Sequence, residues 1–352
     1  MDEIDPWTLG LLSSPEPSVA WRAHRLLSGL GDDDPGQRRR RELVAESDNV
    51  RRMLAHRRPD GTIRKGNETN AYRKWQGPHW TLAGLAELGY PPGDTSLGPL
   101  VDQVFAWLLA PRHLRPPSTA VLPGQGDRIR RCASQEGLAL WYLHELGLAD
   151  ERTEILAARL IEWQWPDGGW NCDRNPTAHT SSVQETLLPL RGLARHHRSA
   201  STAPPAQITN AIDRAAEVLL RRCLLWRRHD GAPISPDWGR DPLRIQWPIR
   251  FYDVLFALTV MAETGHIGDP RCADALALLE SKRLPDGGYP AEIRTARTVD
   301  VVASDGTFAD WGPTGRTRPN PYVSIDATWV RIRSGQRTGT GIRPHRRAPA
   351  NR

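Results

Sequence analysis

Lysine, paired cysteines and long apolar runs are scarce in this chain of 352 residues. Only three of its 47 basic residues are lysine, and the other 44 are arginine, a skew that a high-GC coding sequence produces without any functional cause. The four cysteines form no C-x-x-C pair, which excludes a zinc ribbon and a disulfide framework as the basis of the fold. No run reaches the roughly 18 apolar residues that span a bilayer. Together with the acidic N-terminus, these features predict a cytoplasmic protein.

The basic charge is concentrated at the C-terminus. The formal net charge is +6, but the last 22 residues, 331–352, contain seven arginines and no acidic residue. Removing seven positive charges leaves the rest of the chain at −1, so its body is nearly neutral. We therefore expect no specific nucleic-acid partner. Peripheral contact with an anionic membrane stays open as a role for the tail.

A turn containing Asp-Gly recurs after amphipathic, helix-like stretches, at Asp60, Asp167, Asp230 and Asp286. The last two intervals, 63 and 56 residues, and half of the first interval of 107 residues give a period of roughly 50 to 60 residues. Each period holds two helices, and no convincing alternation typical of strands is present. The sequence predicts an all-α fold, an α/α toroid of about five to six helical hairpins, or about ten to twelve helices, with one helix of each pair lining the centre.

Three regions follow from this pattern. Residues 1–50 are predicted to be an N-terminal helical segment that packs on the toroid, and residues 51–333 to be the toroid repeat domain. Residues 334–352 are predicted to be an arginine-rich disordered tail, because they lack the apolar residues that a core needs. The oligomeric state is not predicted.

The string Glu162–Trp170, EWQWPDGGW, and the string Leu279–Glu292 resemble the QW-type repeat of the prenyltransferase and squalene cyclase superfamily. The whole chain also looks like bacterial single-toroid proteins of that superfamily. The resemblance implies a terpenoid cyclase and protein prenyltransferase type of toroid, in which the Gln, Gly and Trp tie the end of an outer helix to its neighbour. It also implies a central cavity for an isoprenoid-like ligand. The chain has neither the DxDD acid motif of the cyclases nor a DDxxD motif, which disfavours cyclisation by the usual acid.

The same resemblance implies a possible zinc site. Segments 180–190 and 251–258 are similar to the stretches that supply zinc ligands in protein prenyltransferase β subunits. Here His179 stands in place of the Cys, Asp253 in place of the His and Thr177 in place of the Asp, so the pattern departs at all three positions. Zinc remains possible, because His, Cys and carboxylate are all competent ligands. The candidate ligands are His179, Asp253, Cys172 and Asp173. Without a metal, His179 and Asp253 would be wall residues or an acid/base pair.

Internal alignment of the inner helices places Glu87, Glu145 and Glu263 at equivalent positions. Ten residues before the second and third of these stand Gln135 and Asp253. Polar residues at the starts of apolar helices are predicted to meet at one end of the ring, where a pocket forms; helix capping is the alternative role. The candidate catalytic residues are Asp253, His179, Glu185 and Gln135. The candidate substrate-binding residues are Gln76, His79, Trp80, Trp141, Ser182, Tyr252, Arg316, Arg318 and Tyr322.

Three functions stay open at this stage. The leading one is an enzyme or binder of a hydrophobic small molecule, isoprenoid-like, in a central pocket above tryptophan-bearing helices. The second is a carbohydrate-active toroid, a hydrolase or a lyase, with Asp253, Glu185 and Glu136 as its acids. The third is a non-enzymatic scaffold that binds through its tail. An open polar cleft would favour the second function, and an enclosed apolar cavity would favour the first.

Overall fold

The computed structural model describes residues 6–63, 71–114, 121–199, 206–234, 241–248 and 251–335. Its helices are α1 (Pro6–Leu12), α2 (Pro17–Leu26), α3 (Pro35–Ala45), α4 (Asp48–Leu54), α5 (Pro78–Leu88), α6 (Gly98–Leu108), α7 (Pro111–Leu114), α8 (Ser134–Glu145), α9 (Glu151–Glu162), α10 (Val183–Ser199), α11 (Ala206–Leu220), α12 (Val254–Glu263), α13 (Ala273–Glu280) and α14 (Pro321–Arg333). Residues Thr95–Leu97 and Pro270–Cys272 form single 3₁₀ turns.

Strands are minor in the described residues, as expected. Two parallel pairs of two residues each are present: β1 (Gln246–Trp247) with β2 (Ile293–Arg294), and β3 (Arg297–Thr298) with β4 (Gly306–Thr307). The predicted all-α class is confirmed. No helix in the part of the chain that the structure describes is long and apolar enough to cross a membrane.

The inner helices close a ring in which each packs on the next: α2 on α5, α5 on α8, α8 on α10, α10 on α12, α12 on α14, and α14 back on α2. An outer layer covers them, with α3 on α2, α6 on α5, α9 on α8, α11 on α10 and α13 on α12. The predicted α/α toroid is therefore confirmed. Helix α2 lies within the N-terminal segment 1–50, so that segment contributes an inner helix to the ring. Of the predicted tail, residues 336–352 lie outside the described residues.

Sequence explains which helices are inner. In α5 and α12 nearly every side chain is buried, because both helices consist almost wholly of apolar residues. By contrast, α9 and α11 bury one face and expose the other, as outer helices do. The inner helices α8 and α10 approach closely because glycines face each other. A Cβ atom at Gly192 would overlap the main-chain oxygen of Gly137.

The tie between neighbouring outer helices is present at the turn after α9. The side-chain amide of Gln164 donates to the Gly168 oxygen at 2.8 Å and to the Ala211 oxygen of α11 at 2.9 Å. Gly168 has φ +108°, and a Cβ atom there would lie 2.5 Å from the Arg214 oxygen. The indole of Trp170 donates to the Leu160 oxygen at 2.9 Å, so this tryptophan is structural.

A buried network of charges joins five of the inner helices. Arg191 of α10 contacts Glu87 of α5 at 2.9 Å and Glu263 of α12 at 2.8 Å. Arg22 of α2 contacts Glu87 at 3.1 Å and Asp326 of α14 at 2.8 Å. These residues lie at the same end of the ring, where α5 and α12 terminate. We name Arg22, Glu87, Arg191, Glu263 and Asp326 the charge ring.

A second ion-pair set extends the same end of the molecule to α8. Glu145 accepts from Arg25 at 2.9 Å and from Arg195 at 2.6 Å. These two arginines hold the pKa of Glu145 well below its usual range although burial acts in the opposite direction. Thus the three glutamates that internal alignment made equivalent all bind arginines.

Removing the central cation of the charge ring is predicted to destabilise the fold. In Arg191→Met the half-buried Glu263 loses its ion-pair partner and Glu87 loses one of two, so we expect the free energy of unfolding to fall by about 3 kcal/mol or more. Urea unfolding measures this. Arg221→Met, which breaks a half-exposed pair with Glu217 on the outer surface, is the control and is expected to change stability by no more than about 0.5 kcal/mol. Equal effects of the two substitutions would contradict a structural role for the charge ring.

Candidate functional site

The interior of the ring is filled by aromatic side chains. The central cavity measures about 30 Å³ and is lined by Trp75, Trp80, Trp141 and Trp311, with Glu87 and Arg191 at one end. Trp80 and Trp141 do line the centre, as predicted from sequence. Such a volume holds about two water molecules, whereas pockets for small organic ligands measure roughly 300 to 1,000 Å³. The interior is therefore a packed core with no space for an isoprenoid chain.

Polar residues at the start of α5 are covered by this core. His79 is fully buried, its Nδ1 lies 3.0 Å from the Tyr142 hydroxyl, and burial lowers its pKa to about 3. Gln76 is buried as well, and neither atom of its amide has a hydrogen-bond partner among the described residues. A Cβ atom at Gly306 would lie 2.8 Å from Gln76 Nε2, so strand β4 lies directly over this side chain. Gln76 and His79, both predicted to bind substrate, are therefore buried in the wall of the ring.

Asp253 has the capping role that was the alternative to catalysis. Its carboxylate accepts from the Phe256 amide at 2.8 Å and from the Gln246 amide at 3.1 Å, and it is 1% exposed. Burial raises its pKa to about 7, against the effect of these hydrogen bonds. The residue stabilises the first turn of α12.

The predicted zinc ligands do not come together. His179 and Asp173 are exposed on the loop after Trp170, and Asp253 is enclosed at the start of α12. Asp173 accepts from the Asn175 amide at 2.9 Å within that loop. In the described residues, Cys172 is the one member of the predicted set whose ligand atom belongs to a group of possible metal ligands.

That group consists of Cys132, Cys172 and Glu185, whose ligand atoms all lie within 4.8 Å of one another. Contact with Cys132, burial and the charge of Glu185 raise the pKa of the Cys172 thiol far above its ordinary value. Glu185, a predicted catalytic residue, accepts from the Ser134 amide of α8 at 3.0 Å. Gln135 lies next to this group, in the first turn of α8. Spacing along the chain could not reveal Cys132, because its partner comes from another repeat.

An open cleft of about 680 Å³ lies beside the start of α10. One wall contains Ser182 and Gln184, with Tyr252 next to them, so two of the predicted substrate-binding residues, Ser182 and Tyr252, do meet. The Gln184 side-chain oxygen accepts from the Tyr252 amide at 2.6 Å. The Tyr252 hydroxyl donates to the Leu224 oxygen at 2.6 Å, and burial holds its pKa above the ordinary range.

The same cleft has a cationic wall. It contains Arg222, Arg227 and Arg228, with His229 next to them, all from the segment after α11. Arg227 is neutralised by Asp230, whereas the hydrogen bonds described for Arg222 go to main-chain oxygens, those of Val218 and Ser181. Burial lowers the pKa of Arg222, and Arg228 and Arg221 lower it further, while Asp167 acts in the opposite direction. The described lining includes no aspartate or glutamate.

Sequence reasoning missed this wall. The signal was the string RRCLLWRRHD at 221–230, which holds two arginine pairs just before an Asp-Gly turn. In a chain with 44 arginines such pairs do not stand out. Their convergence depends on the turn of the chain after α11, which no periodicity predicts.

The remaining predicted binding residues lie apart from the cleft. Tyr322 is buried at the start of α14, with its hydroxyl 2.6 Å from Ser18 Oγ and its ring stacked on Trp247 at 5.6 Å. Arg316 and Arg318 are exposed on the loop before α14. Tyr322 is thus a core residue, and neither arginine lines the cleft.

Comparison with known proteins places the chain in no family. No family model matches it, and no curated protein does. A solved structure to which it is similar is a polysaccharide lyase, BACCELL_00875, at 13% identity over 93% of this chain and 92% of that chain, with a TM-score of 0.46. A similarity at this level concerns the fold and not the chemistry.

The predicted membership of the prenyltransferase and squalene cyclase superfamily is wrong. The comparison returns a lyase where the resemblance implied a prenyltransferase or a cyclase. The function implied by that resemblance, an isoprenoid-like ligand in a central pocket, is corrected with it. The physical reason is the aromatic packing that leaves about 30 Å³ at the centre of the ring.

The raised pKa of Asp253 predicts how stability depends on pH. Since its pKa is about 7 in the folded protein and near 3.8 otherwise, the folded state holds an extra proton between these values. The free energy of unfolding therefore falls as pH rises from 5 to 7, by up to about 1 kcal/mol per pH unit from this group. Asp253→Asn keeps a capping oxygen and is expected to make that fall less steep in urea titrations at pH 5, 6 and 7.

Asp269→Asn is the matched control, because Asp269 caps the turn at Pro270 in the same way. Its pKa is lowered by the hydrogen bond from Arg271, so the carboxylate is ionised throughout this pH range in both states. The control is expected to leave the slope unchanged. Parallel curves for wild type and Asp253→Asn would show that Asp253 is ionised in the folded protein.

Proposed function

We propose that the open cleft binds an acidic polysaccharide and that the protein cleaves it by elimination. The observation that carries this proposal is the cationic wall of Arg222 and Arg228 in a cleft whose described lining has no carboxylate. A uronate carboxylate is the kind of anion that a guanidinium binds with two parallel hydrogen bonds. Arg222 and Arg228 are the candidate partners for it.

Hydroxyl and amide groups in the cleft suit a sugar. Ser182 and Gln184 line the same cleft as the arginines, and polar side chains of this kind fix the orientation of a ligand. A groove for nucleic acid would instead have cations spaced along a strand together with several stacking aromatic rings. Here the cations come from one short segment, 222–229.

The distribution of charge favours elimination over hydrolysis. Glycoside hydrolysis uses two carboxyl groups on either side of the scissile bond. The three acids considered for that role are used elsewhere: Asp253 caps α12, Glu136 pairs with Arg159 at 3.1 Å, and Glu185 lies beside Cys172. Elimination needs a cation on the uronate carboxylate and a base for the proton on the adjacent carbon. A carbon–carbon double bond then forms as the glycosidic carbon–oxygen bond breaks, and the leaving oxygen takes a proton from the protonated base or from water.

His229 is the candidate base. Its side chain lines the cleft, and its Nε2 lies 3.3 Å from Asp230 Oδ2. A carboxylate at this position orients the imidazole ring and stabilises the imidazolium ion that forms when the base takes a proton. As compartment we propose the cytoplasm, because the four cysteines form no disulfide in the described part of the chain.

Binding is predicted to depend on the cleft arginines. Arg222→Gln and Arg228→Gln each remove a charged donor, so affinity for oligogalacturonate, alginate or hyaluronan oligosaccharides is expected to fall about tenfold or more for whichever of these binds. Isothermal titration calorimetry measures it. Arg221→Gln is the matched control, because Arg221 is adjacent in sequence but pairs with Glu217 outside the cleft. Tight binding of neutral dextran, or of single-stranded DNA in preference to all the oligosaccharides, would overturn the proposal.

Cleavage is predicted to depend on His229. In His229→Gln the binding affinity is expected to change less than about threefold, because the change leaves the arginines in place. The rate at which the unsaturated uronate product forms, followed by its absorbance, should fall about a hundredfold or more, which is the scale of general base catalysis. His266→Gln is the control, since His266 also faces an aspartate, Asp213 at 3.8 Å, outside the cleft. Oligosaccharide binding without product in the wild type would identify a binding protein and refute the elimination step.

A further inference from the structure

Cys132, Cys172 and Glu185 come from three separate parts of the chain and meet at one point. Cys132 lies just before the first turn of α8, Glu185 lies in the first turn of α10, and Cys172 lies in the loop that joins the turn after α9 to α10. The close approach of α8 and α10 at Gly137 and Gly192 brings Cys132 and Glu185 together. Their ligand atoms and the Cys172 sulfur lie within 4.8 Å of one another.

We propose that these three residues bind a thiophilic divalent cation, with zinc as the best match. Two sulfurs and one carboxylate oxygen form a donor set that zinc accepts in tetrahedral sites, with the fourth position left for water or another ligand. The soft sulfurs disfavour magnesium and calcium, which take oxygen ligands. The set differs from the one implied by sequence resemblance, with which it shares Cys172.

Hydrogen bonding supports a cation here. The Cys172 thiol lies 3.7 Å from Glu185 Oε1 and donates to it, so a metal that displaces the thiol proton would take the place of that bond. The other carboxylate oxygen, Glu185 Oε2, accepts from the Ser134 amide at 3.0 Å. That bond fixes the carboxylate so that Oε1 faces the cysteine, as groups behind a metal ligand do.

The site is accessible without unfolding. Cys132 is exposed and Cys172 is half-buried, whereas Glu185 is 8% exposed. A metal can therefore enter from solvent and bind against a buried carboxylate. Because Cys172 belongs to a loop, whereas Cys132 directly precedes α8 and Glu185 lies in α10, binding would fix that loop to the ring.

The test uses the full chain, purified under reducing conditions, loaded with zinc sulfate and desalted. Mass spectrometry of elements is expected to find about one zinc per chain in the wild type, and less than about a tenth of that in Cys132→Ser and Cys172→Ser. Cys223→Ser and Cys272→Ser are the matched controls and are expected to keep the metal, because neither cysteine belongs to the group. Cobalt loading should give a sulfur-to-cobalt charge-transfer band that Cys172→Ser lacks.

Two further measurements separate a metal site from a fold defect or a disulfide. Glu185→Gln, with circular dichroism to show that it folds, is expected to weaken zinc binding about tenfold or more. Zinc should raise the Tm of the wild type by about 3 °C or more and leave that of Cys172→Ser unchanged. The proposal is overturned if the reduced wild type takes up no zinc or cobalt. It is also overturned if Cys132 and Cys172 form a disulfide and the protein still binds no metal after that disulfide is reduced. Cleft variants such as Arg228→Gln should keep the zinc, so this test is independent of the proposed function.

Discussion

The charge ring is the constraint on which the rest of this toroid depends. Arg191 lies where α5, α10 and α12 meet, and it satisfies two glutamates while its guanidinium lies 3.8 Å from the Trp141 ring centre. Arg22 repeats the arrangement for α2, α5 and α14. Burying these charges is expensive unless every partner is in place. Each inner helix in the network must therefore take its correct position before the others are satisfied.

This network also determines where a ligand can bind. With one end of the ring closed by ion pairs and the centre filled by tryptophans, a cavity of about 30 Å³ remains. The cleft of about 680 Å³ lies at the start of α10, away from the helix ends that carry the charge ring. The charge ring and the proposed binding cleft thus lie at different positions along α10.

The sequence predicted the parts of the structure that depend on local pattern. Apolar periodicity identified the inner helices, and alignment of Glu87, Glu145 and Glu263 located residues that do form equivalent ion pairs. It could not show that the tryptophans would fill the centre. Whether they do depends on their volume relative to the diameter of the ring, and that diameter is known only once the helices are assembled. For the same reason it could not show that Gln76, His79 and Tyr322, which are polar in sequence, are covered in the structure. Motif similarity then led to the wrong superfamily, since a turn that joins outer helices says little about what the interior holds.

The aspartate of the repeated turn links the fold to the cleft. Asp167 accepts from the Ser181 amide at 2.8 Å, while the Ser182 amide donates to the Trp170 oxygen at 2.9 Å. The turn that ties α9 to α11 therefore also fixes the segment that leads into α10 and forms one wall of the cleft. The charge of Asp167 also acts on Arg222 in the cationic wall. A residue that sequence periodicity identifies as structural thus contacts one lining segment of the cleft and acts electrostatically on another.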